Sequence, residues 1–164
     1  MPYFASYHID VRVTATAERV FDVLDDPARL GAHMSRRSAM TLGGRFEYRV
    51  EGDGRRVGST IRLSGRVLGV VLDVVQQVTV YVRPHRKYWE TVGEPRLGVI
   101  GAYRMGFEIH PVGQASHLRV SIQYALPQGP LPAPLRRFAA HRYARWCVRR
   151  IVAEAVLASD PTPP

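Results

Sequence analysis

Leu118-Arg119-Val120-Ser121-Ile122-Gln123-Tyr124 leads into Pro127-Gln128-Gly129-Pro130-Leu131-Pro132, and beyond these prolines, from Pro134 to about Leu157, the sequence changes its period. Before the prolines, apolar residues recur at every second position. Leu118, Val120, Ile122 and Tyr124 share one face of a strand, and Arg119, Ser121 and Gln123 the other. After them the spacing is helical: Leu135, Phe138, Ala139, Trp146, Ala153, Val156 and Leu157 fall within about a third of the circumference at ~100° per residue. The proline-rich stretch reads as a stiff linker. A helix of ~24 residues rises about 36 Å, and no other predicted element is long enough to cover a sheet.

Working outward, the same one-sided pattern recurs. Val99 to Ile109 places Tyr103, Met105, Phe107 and Ile109 on one face, with Arg104 and Glu108 opposite. Ser59 to Val67 alternates strictly and leaves Arg62, Ser64 and Arg66 in water. Leu72 to Tyr81, Phe46 to Val50 and a short segment from Lys87 to Thr91 are further strands, separated by turn residues at Glu51-Gly52-Asp53-Gly54, Arg83-Pro84-His85 and Gly93-Glu94-Pro95. At the start, Ser6 to Val13 alternates with Ile9, Val11 and Val13 inward. A hydroxyl cap at Thr14-Ala15-Thr16, with Glu18 in the first turn, opens a short helix carrying Val20, Phe21 and Leu24. Asp25-Asp26-Pro27 ends it and begins a second short helix reaching about His33.

The order predicts an α+β fold: a seven-stranded antiparallel curved sheet wrapped around the long C-terminal helix, with two short helices between the first two strands. Residues 1–158 form one domain, and 159–164 are an expected frayed tail. One helix does not fill the concavity of such a sheet, so an internal cavity is expected.

With 46% hydrophobic and 23% charged residues the chain is ordinary globular material. Met1-Pro2-Tyr3-Phe4 has no basic region followed by an apolar stretch. No uncharged apolar run approaches the ~20 residues of a membrane span. A soluble cytoplasmic protein is the expectation. The single cysteine, Cys147, excludes an intrachain disulfide and reads as a small hydrophobe. The formal net charge of +9 comes from 22 Arg and one Lys against 14 acids. It favours anionic partners without bearing on fold.

The stretches Thr16-Ala17-Glu18-Arg19-Val20-Phe21-Asp22-Val23-Leu24-Asp25-Asp26, Val57-Gly58-Ser59, Val78-Thr79, Trp89-Glu90-Thr91 and the C-terminal helix, in this order, resemble the SRPBCC superfamily. That superfamily includes START lipid-transfer domains, polyketide cyclases/aromatases, coenzyme Q-binding proteins and the birch pollen allergen. The resemblance spans about residues 5 to 157 and implies the helix-grip fold with a cavity for a hydrophobic molecule. Tyr103-Arg104-Met105-Gly106 and Tyr143-Ala144-Arg145-Trp146-Cys147 look like marks of a narrower bacterial subgroup.

Strand alternation selects Ile61, Leu63, Trp89, Tyr103, Met105, Phe107 and Tyr124 as cavity lining, and helical phase adds Phe138, Arg142 and Trp146. On that stripe Arg142 requires an acceptor: a ligand carboxylate, a backbone carbonyl, or water at the rim. His33 is either an exposed polar residue near a helix end or, where the resemblance puts the second helix, a gate or general base at the mouth. Glu90 and Arg104 read as a cross-strand pair on the solvated face, with Trp89 and Thr91 inward. The six histidines show no metal-ligand spacing, and there is no nucleophile elbow or phosphate loop. No metal or cofactor is expected, and no catalytic signature is legible.

The expected function is binding, transport or sensing of a hydrophobic small molecule or lipid. The alternative is a polyketide cyclase/aromatase-like enzyme using Tyr103, Tyr124, His33 and Arg142 in the same cavity. Several polar side chains deep in the pocket favour the enzyme, and an all-apolar lining favours the carrier. The arginines of the terminal helix read mostly as a solvated face. Peripheral contact with an anionic membrane is a third reading, against which the helix's apolar face is already needed for the core, and no nucleic-acid motif is present.

Overall fold

A computed structural model describes residues 3–26, Arg29, 45–67 and 70–157. The chain runs β1 (Ala5–Val13), α1 (Ala17–Leu24), β2 (Arg45–Glu51), β3 (Thr60–Val67), β4 (Val70–Val82), β5 (Arg86–Arg96), β6 (Tyr103–Val112), β7 (Ala115–Tyr124) and α2 (Ala133–Leu157). All seven strands join one antiparallel sheet in the order β1-β7-β6-β5-β4-β3-β2. The expected α+β architecture is therefore present. The expected second short helix, from Pro27 to about His33, lies outside the described residues except for Arg29.

Local chemistry sets the element ends. Thr16 caps α1, its Oγ1 accepting the Arg19 N–H at 3.4 Å. At the other end, the Asp25 N–H returns to the Phe21 carbonyl at 2.7 Å. Strand β5 runs past the expected break at Gly93-Glu94-Pro95 to Arg96. Gly93, at φ +73°, takes up a register shift against β4 between Val75 and Asp73. Pairing between β5 and β6 covers Arg86 to Glu90, so Pro95 removes no ladder hydrogen bond on that side.

The concave face carries the core, with Phe107, Ile109, Leu118, Val120, Ile122 and Tyr124 buried beneath α1 and α2. Against this bulky surface α2 presents small side chains: Ala140, Ala144, Val148, Ile151 and Ala155 are its buried residues. This corrects the predicted apolar stripe. Leu135, Phe138, Ala153, Val156 and Leu157 are exposed, while Ala139 and Trp146 are half-buried. The sheet already supplies the volume, so the helix approaches through its alanines and turns the larger residues elsewhere.

On the convex face, Gly106 lies opposite Tyr88. A Cβ at Gly106 would meet the Tyr88 ring at 2.4 Å and the Lys87 carbonyl at 2.3 Å, so only glycine admits this crossing. Arg104 stacks on the Tyr88 ring at 4.7 Å, and the Tyr88 hydroxyl donates to Glu108 at 2.9 Å.

Candidate functional site

Helix α2 packs on β1, β7 and α1, leaving space between its other flank and strands β2 to β6. That space is a cavity of about 100 Å³. One water occupies roughly 10–15 Å³ on this scale, so it holds several waters or the core of a small ligand. The sheet contributes Tyr48 from β2, Ile61 and Leu63 from β3, and Gln76 from β4. Lys87 and Trp89 come from β5, and Tyr103 and Met105 from β6. Helix α2 closes the space with Tyr143, Trp146, Cys147, Arg150, Ile151 and Glu154, spaced three or four apart on one flank. The surface turned to the cavity is mostly apolar.

The polar groups there largely satisfy one another. Gln76 Nε2 donates to the Tyr103 hydroxyl. Tyr143 and Cys147, one turn apart, share a side-chain hydrogen bond. Burial holds the Tyr103 and Tyr143 phenols well above the ordinary tyrosine range. It also pushes the Tyr48 phenol to about 12, with help from the negative charge of Asp26. The Cys147 thiol is likewise pushed to about 12 by burial. At neutral pH these groups are uncharged. Cys147 is therefore a weak nucleophile, since the thiolate is the reactive form, and the phenols serve as hydrogen-bonding groups.

Lys87, on the cavity wall, belongs to a buried ion pair. Lys87 Nζ donates to Asp25 Oδ1 at 2.6 Å and to the Gly54 carbonyl at 2.8 Å. Asp25 Oδ2 accepts from the Tyr81 hydroxyl at 2.7 Å, with Arg55 Nε 3.5 Å away. The side chains of Lys87 and Asp25 are 2% and 5% exposed. Desolvation lowers the Lys87 pKa, and the hydrogen bond to Asp25 opposes that shift. Asp25 sits at the C-terminus of α1, where the helix dipole disfavours a carboxylate. Lys87 offsets this and ties α1, β5 and the β2–β3 turn together.

Of the ten residues expected to line the cavity, Ile61, Leu63, Trp89, Tyr103, Met105 and Trp146 do so. Phe107 lies in the core, edge-on to Phe21 and Trp89 at 5.5 and 6.4 Å. Tyr124 is buried, its hydroxyl 3.4 Å from His141 Nδ1. Phe138 and Arg142 are on the exposed face of α2, the guanidinium 5.9 Å from the ring, which corrects their inward placement. The arginine on the cavity wall is Arg150, whose Nε is buried without an acceptor. His33 lies outside the described residues. Glu90 and Arg104 are cross-strand neighbours, and Glu90 accepts from Tyr3 at 3.3 Å. Trp89 faces the core, and Thr91 Oγ1 accepts the Tyr103 N–H at 3.2 Å.

Sequence reasoning missed Tyr48, Gln76, Lys87, Tyr143, Cys147, Arg150, Ile151 and Glu154 as lining. A signal existed for some of them. Tyr103-Arg104-Met105-Gly106 and Tyr143-Ala144-Arg145-Trp146-Cys147, the two segments singled out earlier, supply five cavity residues between them. Lys87 is also the one lysine in a chain that otherwise uses arginine. Its compact ammonium suits the enclosed acceptors Asp25 and Gly54 better than a planar guanidinium.

A curved antiparallel sheet closed by one long helix, with an apolar hollow between them, defines the helix-grip class of the SRPBCC superfamily. The chain belongs to the family described as polyketide cyclase / dehydrase and lipid transport, whose profile matches residues 5–156. Its fold is similar to that of a protein from Thermus thermophilus, at a TM-score of 0.65 and 13% identity, covering 96% of this chain and 100% of that one. It is also similar to the Zhui aromatase/cyclase of Streptomyces sp. R1128, at 0.62 and 15%, covering 94% and 90%. Norcoclaurine synthase from Thalictrum flavum matches at 0.60 and 17%, covering 93% and 83%. No curated protein matches by sequence. Likenesses at these identities establish the fold alone. Among the described residues, no helix is long and apolar enough to cross a membrane, and no three His, Cys, Asp or Glu side chains gather as metal ligands.

Proposed function

We propose that this protein binds a small hydrophobic molecule or lipid chain in the cavity between α2 and strands β2 to β6, as a carrier, sensor or sequestering protein. The observation that carries this reading is the mostly apolar surface turned to the cavity: of its polar lining, the phenols and thiol are neutral at physiological pH, and the Lys87 charge is taken up by Asp25. Apolar lining with a few placed polar groups is the usual chemistry of a small-molecule site. The Gln76–Tyr103 and Tyr143–Cys147 pairs supply neutral hydrogen bonds for orienting a ligand. They also keep a second reading in play: a cyclase/aromatase-like enzyme, in which shape and these few groups would guide a reactive ligand.

Trp89 and Trp146 both border the cavity, so their fluorescence reports occupancy. Titration with 2-naphthol and with decanoic acid should give saturable changes. Leu63→Trp, which fills the space, should weaken both by about tenfold, following the 1–3 kcal/mol cost of overpacking. Absence of saturable binding to either compound, or binding unchanged in Leu63→Trp, refutes the assignment. A covalently altered ligand recovered from the cell's own protein by native mass spectrometry would favour the enzyme.

A further inference from the structure

The outward face of α2 has a chemistry the cavity does not require. Phe138 is 62% exposed, Leu135 49% and Leu131, just before the helix, 50%. Leu135, Phe138 and Arg142 follow at i, i+3 and i+7, so they share one face. Phe4 is 52% exposed too, but Arg137, whose guanidinium lies 4.9 Å from its ring, stands about 160° around the helix from Leu135, so Phe4 belongs to a different side. Arg142 lies in the same way over Phe138. Single exposed apolar residues are normal on a protein surface, but a gathered set is not.

Charge identifies what this face would meet. From Ala133 to Ala153 the helix carries Arg136, Arg137, Arg142, Arg145, Arg149 and Arg150 with no acid, Glu154 being its only one. Arg136 is held by the Pro127 carbonyl at 3.1 Å and Arg145 lies over Tyr7, whereas Arg137, Arg142 and Arg149 are exposed. An equally basic second copy would be repelled from this face. Nucleic acid would pair with the arginines and stack on Phe138, but Leu131 and Leu135, half of the same surface, offer bases neither stacking nor hydrogen bonds. Anionic lipid satisfies both features, with phosphates for the guanidinium groups and acyl boundary for Phe and Leu.

We propose that the N-terminal half of α2, with Leu131, docks on an anionic membrane surface. Phe138 and Leu135 enter the headgroup boundary, while Arg142, beside the Phe138 ring, and Arg149, two turns further along the same face, contact phosphates. Cavity residues Tyr143 to Glu154 lie on the following turns of the same helix, so docking would bring that end of the cavity close to lipid. The surface stands independently of what the cavity binds.

The test is co-sedimentation of the full chain with vesicles of phosphatidylcholine alone and with one-quarter phosphatidylglycerol. Binding is expected to the mixed vesicles only, and it should weaken at least tenfold at high salt. Arg142→Gln should weaken it about fivefold, the share of one surface arginine near anionic lipid. Phe138→Ser and Leu135→Ser should each weaken it while circular dichroism and 2-naphthol titration stay unchanged. Equal binding to both vesicle types overturns the proposal, as does binding indifferent to Phe138→Ser. A dimer by light scattering, or binding to a DNA duplex, that depends on these same residues in place of vesicle binding also overturns it.

Discussion

Replacing Lys87 by Met strips the Asp25 carboxylate of its main counter-charge while keeping much of the side-chain volume. Asp25 would retain the Tyr81 hydroxyl at 2.7 Å and Arg55 at 3.5 Å, the latter at a half-exposed rim. Removing one partner of a buried ion pair typically costs about 3–5 kcal/mol, because the other charge stays buried. The surviving contacts place the expectation near the lower end, about 3 kcal/mol. That is a large part of the roughly 5–15 kcal/mol that holds an average domain folded, and corresponds to a fall in Tm of about 6–12 °C. Asp25→Leu should cost about as much by isolating the ammonium. The double variant Asp25→Leu/Lys87→Met removes both desolvation penalties and leaves only the Tyr81 hydroxyl and Gly54 carbonyl seeking partners, at roughly 1–3 kcal/mol each. The Tyr81 hydroxyl is only part-buried, which keeps this near the lower end, about 2–3 kcal/mol in all. The double variant should therefore be no less stable than either single variant, giving a coupling of about 3 kcal/mol or more. Urea unfolding followed by circular dichroism at pH 7 measures all four corners of the cycle. A loss below 1 kcal/mol in Lys87→Met, or additivity in the double variant, would refute the view that this pair joins α1, β5 and the β2–β3 turn.

Stability should also fall at alkaline pH. Tyr48 and Tyr81 ionise near 12 in the folded chain against 10.0 ordinarily, and Cys147 near 12 against 9.0. Unfolded chains lose these protons first, so stabilisation complete below pH 9 declines as pH rises toward 12. Lys87, whose pKa is lowered, works in the opposite direction but is a single group. Denaturant midpoints between pH 8 and 11, with tyrosinate absorbance, test this, and a midpoint that climbs across the range would contradict it. Native Cys147 should react with a thiol-disulfide reagent at pH 8 about a thousandfold more slowly than in urea, from thiolate fraction alone; comparable rates would mean the thiol is not held up by burial. Gly106→Ala should destabilise by roughly 1–3 kcal/mol or more through collision with Tyr88 and the Lys87 carbonyl, and the companion Gly106→Ala/Tyr88→Ala should recover part of the loss if the ring is the obstacle.

The strands were legible because each pairs an apolar face with a polar one at a period of two, a local property that survives any tertiary arrangement. Tyr103, Met105, Ile61 and Leu63 fall on the inward face for that reason. Element order and lengths were equally legible, since caps, prolines and turn residues act on their own few neighbours. Strand β5 overran its apparent stop because a proline is harmful only where a partner strand needs its N–H. That depends on where β6 leaves off.

Helix α2 shows where sequence reading ends. Its arginines spread over much of the circumference, and its bulky residues do not mark the buried side. Helical phase of the bulky residues points to Phe138, Arg142 and Trp146, of which Trp146 alone reaches the cavity, whereas the buried side is the alanine stripe from Ala140 to Ala155. The large concave side chains of β6 and β7 had taken the volume, so close approach selected the smallest residues of the helix. That rotation carries Tyr143, Cys147 and Arg150 to the cavity and leaves Phe138 and Arg142 in solvent. The Asp25–Lys87 pair was out of reach for a related reason, its members lying 62 positions apart and joined only by the curl of the sheet. By itself the sequence determined the sheet, its inward face, the order of elements and the length of the closing helix. Helix rotation, and with it the polar lining of the cavity, was decided only in the tertiary structure, because it depends on volumes contributed by residues far away in the chain.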